Sequence, residues 1–223
     1  MKPHLTRRQT IVGLGVCLGA SLATPALAQP AFQPRDLTFR VIRKGSPMGT
    51  FATRFQYQGD QLVARTSVAL EVRVAGLRVF RYSHESTEIR RGDELLSLRA
   101  ETYDNGPTYT VSATPVAGGL KLEGPDNNRS ISTRSLSSNC VWHPGFVRPQ
   151  QPVIDAERAR YELPRVEALG QRMMTVMGAQ RLASGHRMTV SYANGELWHD
   201  AAGDWVYAVF NIKGETLTYE RIA

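Results

Sequence analysis

The sequence predicts an all-β protein: a single antiparallel, strongly curved sheet, or an open half β-barrel, with strands in meander order and little helix. Three observations support this class. Apolar residues occupy every second position over long stretches, turn-forming Gly, Asn and Asp separate those stretches, and the chain has no amphipathic helix long enough to cover a sheet. We therefore expect about a dozen strands and under about a tenth of the residues in helices.

Residues 37–123 are predicted to form seven consecutive antiparallel strands. The clearest is 62–74, where apolar and outward-pointing positions alternate over the whole segment. So long a strand must twist and curl, and Ala75-Gly76 after it favours a tight hairpin. The predicted strands are 37–41, 51–57, 62–74, 77–90, 95–103, 108–114 and 120–123.

A long loop is predicted for 124–152, a stretch rich in Asn, Ser, Arg and Pro. A segment of that length without regular structure is either functional or poorly ordered. Trp142 and Phe146 are its only large aromatic side chains, so we expect these two rings to pin the loop across an open end of the sheet. Cys140 would then lie close to this lid, partly shielded from solvent.

A second block of strands follows one candidate helical turn at 155–161, which has Asp155 as its N-cap. Turns are predicted at 169–171 and 184–185, among others. Within 205–210, Trp205 and Tyr207 are assigned to one face of a strand that is apolar on both faces, which is typical of a strand between a core and a covering layer or ligand cavity. We expect this second block of strands to cover the apolar face of the first block, either as a second sheet or as a barrel wall. Its predicted strands are 166–169, 173–178, 187–192, 196–200, 205–213 and 215–222.

Residues 1–28 are predicted to be a cleavable signal peptide. They combine basic residues, an apolar run over 11–23 and the small-residue site Ala26-Leu27-Ala28. Arg7-Arg8 resembles a twin-arginine signal, and the alternative is the general export route with two arginines in its basic region. We expect cleavage after about Ala28, a periplasmic location, and a single β domain over 29–223.

Composition excludes several classes of protein. The chain is 42% apolar and 21% charged, with a mean hydropathy of -0.29, which excludes fibrous and disordered chains. Without the leader, 24 Lys and Arg face 20 Asp and Glu, a net charge of only +4, so nucleic acid is not an expected partner. Outside the leader the sequence has no apolar run long enough to cross a membrane, and it contains no nucleotide-binding or hydrolase motif.

The sequence contains a series of short motifs: Lys44-Gly45, Met48-Gly49, Tyr103 to Gly106, Trp142, Glu196 to Asp200, Gly203, Trp205-Val206, Gly214 and Tyr219. Taken in order, these motifs resemble those of an exported bacterial β-protein family classed as a domain of unknown function. In that family the late motif reads roughly Leu-Trp-Tyr-Asp, so His199 stands where Tyr is usual. The resemblance implies the curved half-barrel architecture of periplasmic lipoprotein carriers, and it implies no activity.

Cys140 and His143 are the residues most suited to chemistry. A thiol and an imidazole three residues apart are compatible with a soft metal such as copper or zinc, with His199 as a third ligand. The same pair is compatible with a nucleophile and its base, although no oxyanion donors are marked. The plainer interpretation is a buried Cys beside a loop histidine, and no cofactor is predicted.

The sequence therefore favours a non-enzymatic binding or carrier-like protein for an apolar or amphipathic ligand, such as a lipid, held on the concave apolar face. The alternatives are a metal-handling protein and a structural interaction module with a filled core. The candidate ligand-binding residues are Trp142, Phe146, Trp198, Trp205 and Tyr207.

Overall fold

The computed structural model describes residues 33–223, and the predicted signal peptide lies outside the described residues. This part of the chain contains strands and two short 3-10 turns, η1 (Cys140–Trp142) and η2 (Pro144–Val147), and no α-helix. No helix in 33–223 has the length and apolar character needed to span a membrane. The strands are β1 (Leu37–Arg43), β2 (Ser46–Gln58), β3 (Gln61–Val74), β4 (Leu77–Arg91), β5 (Glu94–Asp104), β6 (Thr108–Val116), β7 (Gly119–Gly124), β8 (Asn127–Ile131), β9 (Leu136–Ser137), β10 (Val153–Ile154), β11 (Tyr161–Glu162), β12 (Arg165–Val176), β13 (Ala179–Val190), β14 (Ala193–Asp200), β15 (Trp205–Ile212) and β16 (Glu215–Arg221).

Thirteen of these strands form one antiparallel sheet, in the order β12-β13-β14-β15-β16-β1-β2-β3-β4-β5-β6-β7-β8. The two edge strands, β12 and β8, do not pair, so the sheet is not closed into a barrel. Pairing of β1 with β16 joins two meanders, which makes the C-terminal strands a wall of the same sheet. The prediction of an all-β, open and curved antiparallel sheet is confirmed.

The main core lies on the concave face of the sheet. Phe39 of β1 lies opposite Phe51 of β2, and Phe51 in turn lies opposite Val68 of β3. All three side chains are buried, as the alternation predicts. The hairpin between β3 and β4 turns at Ala75 and Gly76, both with positive φ (49° and 82°), as a tight two-residue turn requires.

The two turns predicted near Gly170 and Gly185 are wrong. Those glycines lie opposite each other in one long hairpin of β12 and β13, at a register shift between Ala168 and Gly170, and the chain reverses at Met177-Gly178 instead. A Cβ at Gly185 would approach the Trp198 ring to 2.5 Å, so glycine is needed there because an aromatic ring covers the backbone.

The assignment of Trp205 and Tyr207 to one face is also wrong. His199 pairs with Trp205 and Trp198 pairs with Tyr207, which leaves Val206 as an extra residue in a β-bulge. The bulge shifts the alternation by one position, so Trp205 packs in the concave core and Tyr207 packs on the other face.

Segment 124–152, predicted as a loop, contains regular elements. β8 adds an edge strand beside β7, and β9 pairs with β10, which pairs with β11 in a small second sheet. The predicted turn at Asp155 is present within the β10–β11 connection: the Asp155 carboxylate accepts a hydrogen bond from the Glu157 amide at 2.9 Å, and no helix follows.

Candidate ligand-binding site

A cavity of about 540 Å³ occupies the concave side of the sheet. It lies toward one end, which we call the rim and define by the turns at 44–45, 75–76, 105–106 and 213–214. The cavity reaches the surface beside Val79, which lines it and is 53% exposed. Its apolar lining residues include Met48, Phe51, Val68, Leu70, Val72, Phe80, Val141, Phe146, Met188, Val190, Trp205, Phe210, Ile212 and Leu217.

One wall of the cavity consists of aromatic rings. Trp205 stacks on Phe39 with ring centroids 3.9 Å apart. The Phe51 ring meets Trp205 edge-on at 5.4 Å, and Tyr219 lies 5.9 Å from Phe210. Stacked and edge-on contacts of this kind are the favoured arrangements of aromatic pairs, so the rings of this wall stabilise one another.

Segment 136–147 fills the part of the concave side farthest from the rim. Trp142 is 2% exposed and packs edge-on against Phe55 at 4.8 Å, close to the β2–β3 turn at the opposite end of the sheet. His199 Nε2 lies 2.8 Å from the carbonyl oxygen of Val141 and ties the segment to β14. This segment therefore closes the cavity on the side away from the rim.

A row of buried polar side chains on β4, at His84, Ser86, Glu88 and Arg90, holds the same segment in place. The inward side chains of Glu88 and Arg90 are buried and form an ion pair at 3.4 Å. Cys140 Sγ donates to Glu88 at 2.9 Å, and the Ser137 hydroxyl donates to the other oxygen of that carboxylate. Arg90 also donates to the Ser135 carbonyl at 3.2 Å. The Glu88 carboxylate thus accepts from two side chains of the segment that it holds, and the Arg90 guanidinium donates to Glu88 and to the backbone carbonyls of Ser135 and Asp93.

The part of this row that lies nearer the cavity consists of neutral side chains. His84 Nδ1 lies 2.7 Å from Thr102 Oγ1, and His84 Nε2 lies 2.8 Å from the Asn139 amide nitrogen. Burial lowers the pKa of His84 to about 4, and burial raises the pKa of Tyr219 to about 12. Both groups line the cavity uncharged at neutral pH.

Charged side chains line the rim. Arg43 Nε donates to Glu215 at 2.9 Å, beside the β1–β2 turn. Lys213 Nζ donates to Asp104 at 2.5 Å and to Glu157 at 3.0 Å. The buried Asp155 carboxylate, which also lines the cavity, is paired with Arg160 at 3.4 Å. The cavity is therefore walled mainly by apolar side chains, and each of these charged groups has a partner of opposite charge.

The structure brings only some of the predicted ligand-binding residues to the cavity. Phe146 and Trp205 line it, and Trp142 packs beneath it. Trp198 and Tyr207 lie in a separate cluster with Val176, Ala183 and Val206. There the Arg172 guanidinium covers the Trp198 ring at 3.8 Å.

Sequence reasoning missed most of the lining because it favoured large aromatic residues of the late strands. The period-2 pattern of 62–74 already placed Val68 and Leu70 on the buried face. That pattern could have identified them as candidate lining residues. No local signal marks Lys213 or Asp104, which meet through the curvature of the sheet.

The three predicted metal ligands do not converge. Within 33–223 no group of three or more His, Cys, Asp and Glu side chains is arranged to hold a metal ion. Each of the three has another partner: Cys140 donates a hydrogen bond to Glu88, His199 contacts the Val141 carbonyl, and His143 Nδ1 accepts from the Gly145 amide at 3.0 Å. Burial and the neighbouring Glu88 raise the pKa of Cys140 well above its ordinary value, so the thiol is a poor nucleophile.

Comparison with known proteins agrees with this architecture. No curated protein sequence matches the chain significantly. The fold is similar to the crystal structure of a beta-barrel-like protein of domain of unknown function DUF1849 from Brucella abortus, with a TM-score of 0.60 and 10% identity over 86% of this chain and 96% of that chain. Residues 39–222 match the family described as domain of unknown function DUF6134. The resemblance to a β family of unknown function is thereby confirmed, and the chain belongs to the DUF6134 family.

Proposed function

We propose that this protein is a non-enzymatic binding or carrier-like domain that takes an apolar or amphipathic molecule, such as a lipid acyl chain, into the concave cavity. The observation that carries the proposal is a cavity of about 540 Å³ walled by side chains such as Phe51, Leu70 and Trp205. Volumes of roughly 300–1,000 Å³ with mainly apolar walls are typical of small-molecule sites.

The distribution of polar groups favours an amphipathic ligand. Among the polar groups that line the cavity, His84 and Tyr219 are neutral, and the Asp155 carboxylate is paired with Arg160 at 3.4 Å. At the rim, Arg43, Glu215 and Lys213 supply charges. Because a buried charge without a partner is costly, the apolar part of the ligand belongs inside and its polar group belongs at the rim.

We also propose that the protein acts in the periplasm. The support is the leader, in which a basic start, an apolar run and Ala26-Leu27-Ala28 follow one another.

The test is a titration of delipidated protein with the fluorescent fatty acid cis-parinaric acid. Val190 lines the cavity, so Val190→Trp places bulk in the space the ligand needs. We expect saturable binding by the wild type and a loss of affinity of at least about tenfold, equivalent to about 1.4 kcal/mol, in V190W.

The matched control is Val116→Trp, because Val116 is 42% exposed at the end of β6 and lies outside the cavity. It should bind like the wild type, and circular dichroism should show all three proteins folded. Absence of binding by the wild type, or equal binding by V190W, contradicts the proposal. Native mass spectrometry that finds copper or zinc and no lipid favours the metal-handling alternative, and no bound species at all favours the structural module.

A further inference from the structure

The tip of the β3–β4 hairpin exposes a compact apolar surface. Val74 and Leu77 face each other across the hairpin and are 59% and 73% exposed. Val79, two residues further along, is 53% exposed. Single exposed apolar residues are ordinary, whereas contiguous groups of them are typical of interaction sites.

Basic side chains surround this tip. The hairpin from 71 to 81 contains one acidic residue, Glu71, and three arginines, Arg73, Arg78 and Arg81, a net charge of +2. Arg73 and Arg78 share the Glu71 carboxylate, at 2.5 Å and 3.8 Å. Both arginines are about half exposed, at 58% and 51%. One carboxylate cannot neutralise them all, so the tip presents a positive field to solvent.

The apolar tip is continuous with the cavity. Val72 and Phe80 are directly opposite each other one step below the tip, and both line the cavity together with Val79. The hairpin turn is one of the four that define the rim. An apolar path therefore leads from the exposed tip along the hairpin into the cavity.

We propose that this hairpin tip docks onto the surface of a lipid bilayer that carries anionic headgroups. Val74 and Leu77 enter the interface, and Arg73, Arg78 and Arg81 contact the phosphates. The inference rests on the proposed function, because docking at the rim brings the cavity entrance to the source of an amphipathic ligand. Charge complementarity and continuity with the cavity select a bilayer over a second copy of the chain.

The experiment is co-sedimentation of the purified protein with vesicles of phosphatidylglycerol and phosphatidylcholine, and with vesicles of phosphatidylcholine alone. We expect binding to the anionic vesicles that weakens as salt is raised, and much weaker binding to the neutral ones. The double variant Val74→Asp, Leu77→Asp should lose at least about tenfold in vesicle affinity.

The matched control is Met173→Asp, Leu182→Asp. These residues also form an exposed cross-strand apolar pair, at 59% and 44% exposure, but they lie on β12 and β13 away from the rim. The control should bind vesicles like the wild type. Circular dichroism and urea unfolding show whether each variant is folded.

The two proposals fail separately. The tip variant should still bind cis-parinaric acid, and V190W should still bind vesicles. Vesicle binding that is absent in the wild type, unaffected in the tip variant or equally strong on neutral vesicles overturns the docking inference. It is equally overturned if sedimentation velocity shows a wild-type dimer that the tip variant converts to a monomer.

Discussion

Lys213 and Asp104, 109 residues apart in sequence, form an ion pair of 2.5 Å at the rim of the cavity. Lys213 lies in the β15–β16 turn and Asp104 ends β5, and four strands separate β16 from β5 in the sheet. Curvature of the sheet is what brings them together. Glu157, from the β10–β11 connection, joins the pair at 3.0 Å, so three separate elements are tied together across the entrance.

We expect Lys213→Met to speed exchange of a cavity ligand, because it removes both ion pairs and keeps an unbranched side chain of similar length. Lys213 is 57% exposed, so the free energy of unfolding should change by less than about 1 kcal/mol. The dissociation rate of cis-parinaric acid measures the effect. The control is Lys44→Met in the neighbouring turn, where the lysine is 73% exposed and 3.9 Å from Glu215. Equal rates in K213M and wild type would contradict the prediction.

Cys140 should be inert in the native protein. Its side chain is fully buried, donates to Glu88 and has a raised pKa, since burial and the Glu88 charge disfavour the thiolate. Iodoacetamide should label the peptide containing Cys140 only after unfolding in urea, as measured by mass spectrometry. Native labelling as fast as labelling in urea would show that segment 136–147 is not held in the core.

Trp142→Ala should destabilise the protein more than its position in a connecting segment suggests. The ring is 2% exposed within the main core, so truncation should cost about 3–5 kcal/mol and speed trypsin cleavage near Arg129 and Arg134. Urea unfolding gives the free energy. Tyr57→Ala, at a side chain that is 54% exposed, is the control and should stay within about 0.5 kcal/mol of wild type. A W142A protein with wild-type stability would refute the assigned packing.

The free energy of unfolding should fall as the pH is lowered from about 6.5 toward 4. Burial lowers the pKa of His84 and of His143 to about 4, from an ordinary 6.5, and also lowers the pKa of His199. Between those pH values the unfolded chain binds more protons than the folded one, so acid favours unfolding, by up to about 1.4 kcal/mol per pH unit at one such site. Asp155 acts in the opposite direction, because burial raises its pKa to about 6.

Urea unfolding at pH 7 and at pH 4.5 tests this dependence. His84→Gln removes one of the titrating groups and should reduce the loss between the two pH values. An equal loss in His84→Gln and in the wild type would contradict the assignment of His84 as one of the groups responsible.

Strand existence was predictable from the sequence where one face of a strand is buried. Residues 62–74 were predicted as a strand, and β3 spans Gln61–Val74 with its turn at Ala75 and Gly76. Alternation and turn chemistry are local properties, and both act within a few residues. The same reasoning failed at Gly185, because a glycine suits a turn and a strand beneath an aromatic ring equally well, and only the contact with Trp198 distinguishes them.

The position and lining of the cavity depend on strand pairing and on contacts between residues far apart in the sequence, which no local pattern predicts. The bulge at Val206 decides that Trp205 faces the cavity and Tyr207 does not. The sequence by itself determined the all-β class, most of the strands and the apolar face that must be buried. Only the tertiary structure decided that β1 pairs with β16, that Trp142 fills one end of the concave side and that Lys213 meets Asp104. The reason is physical: strand formation follows from side chains within a few residues, whereas the shape of an open sheet follows from the twist accumulated over all of its strands.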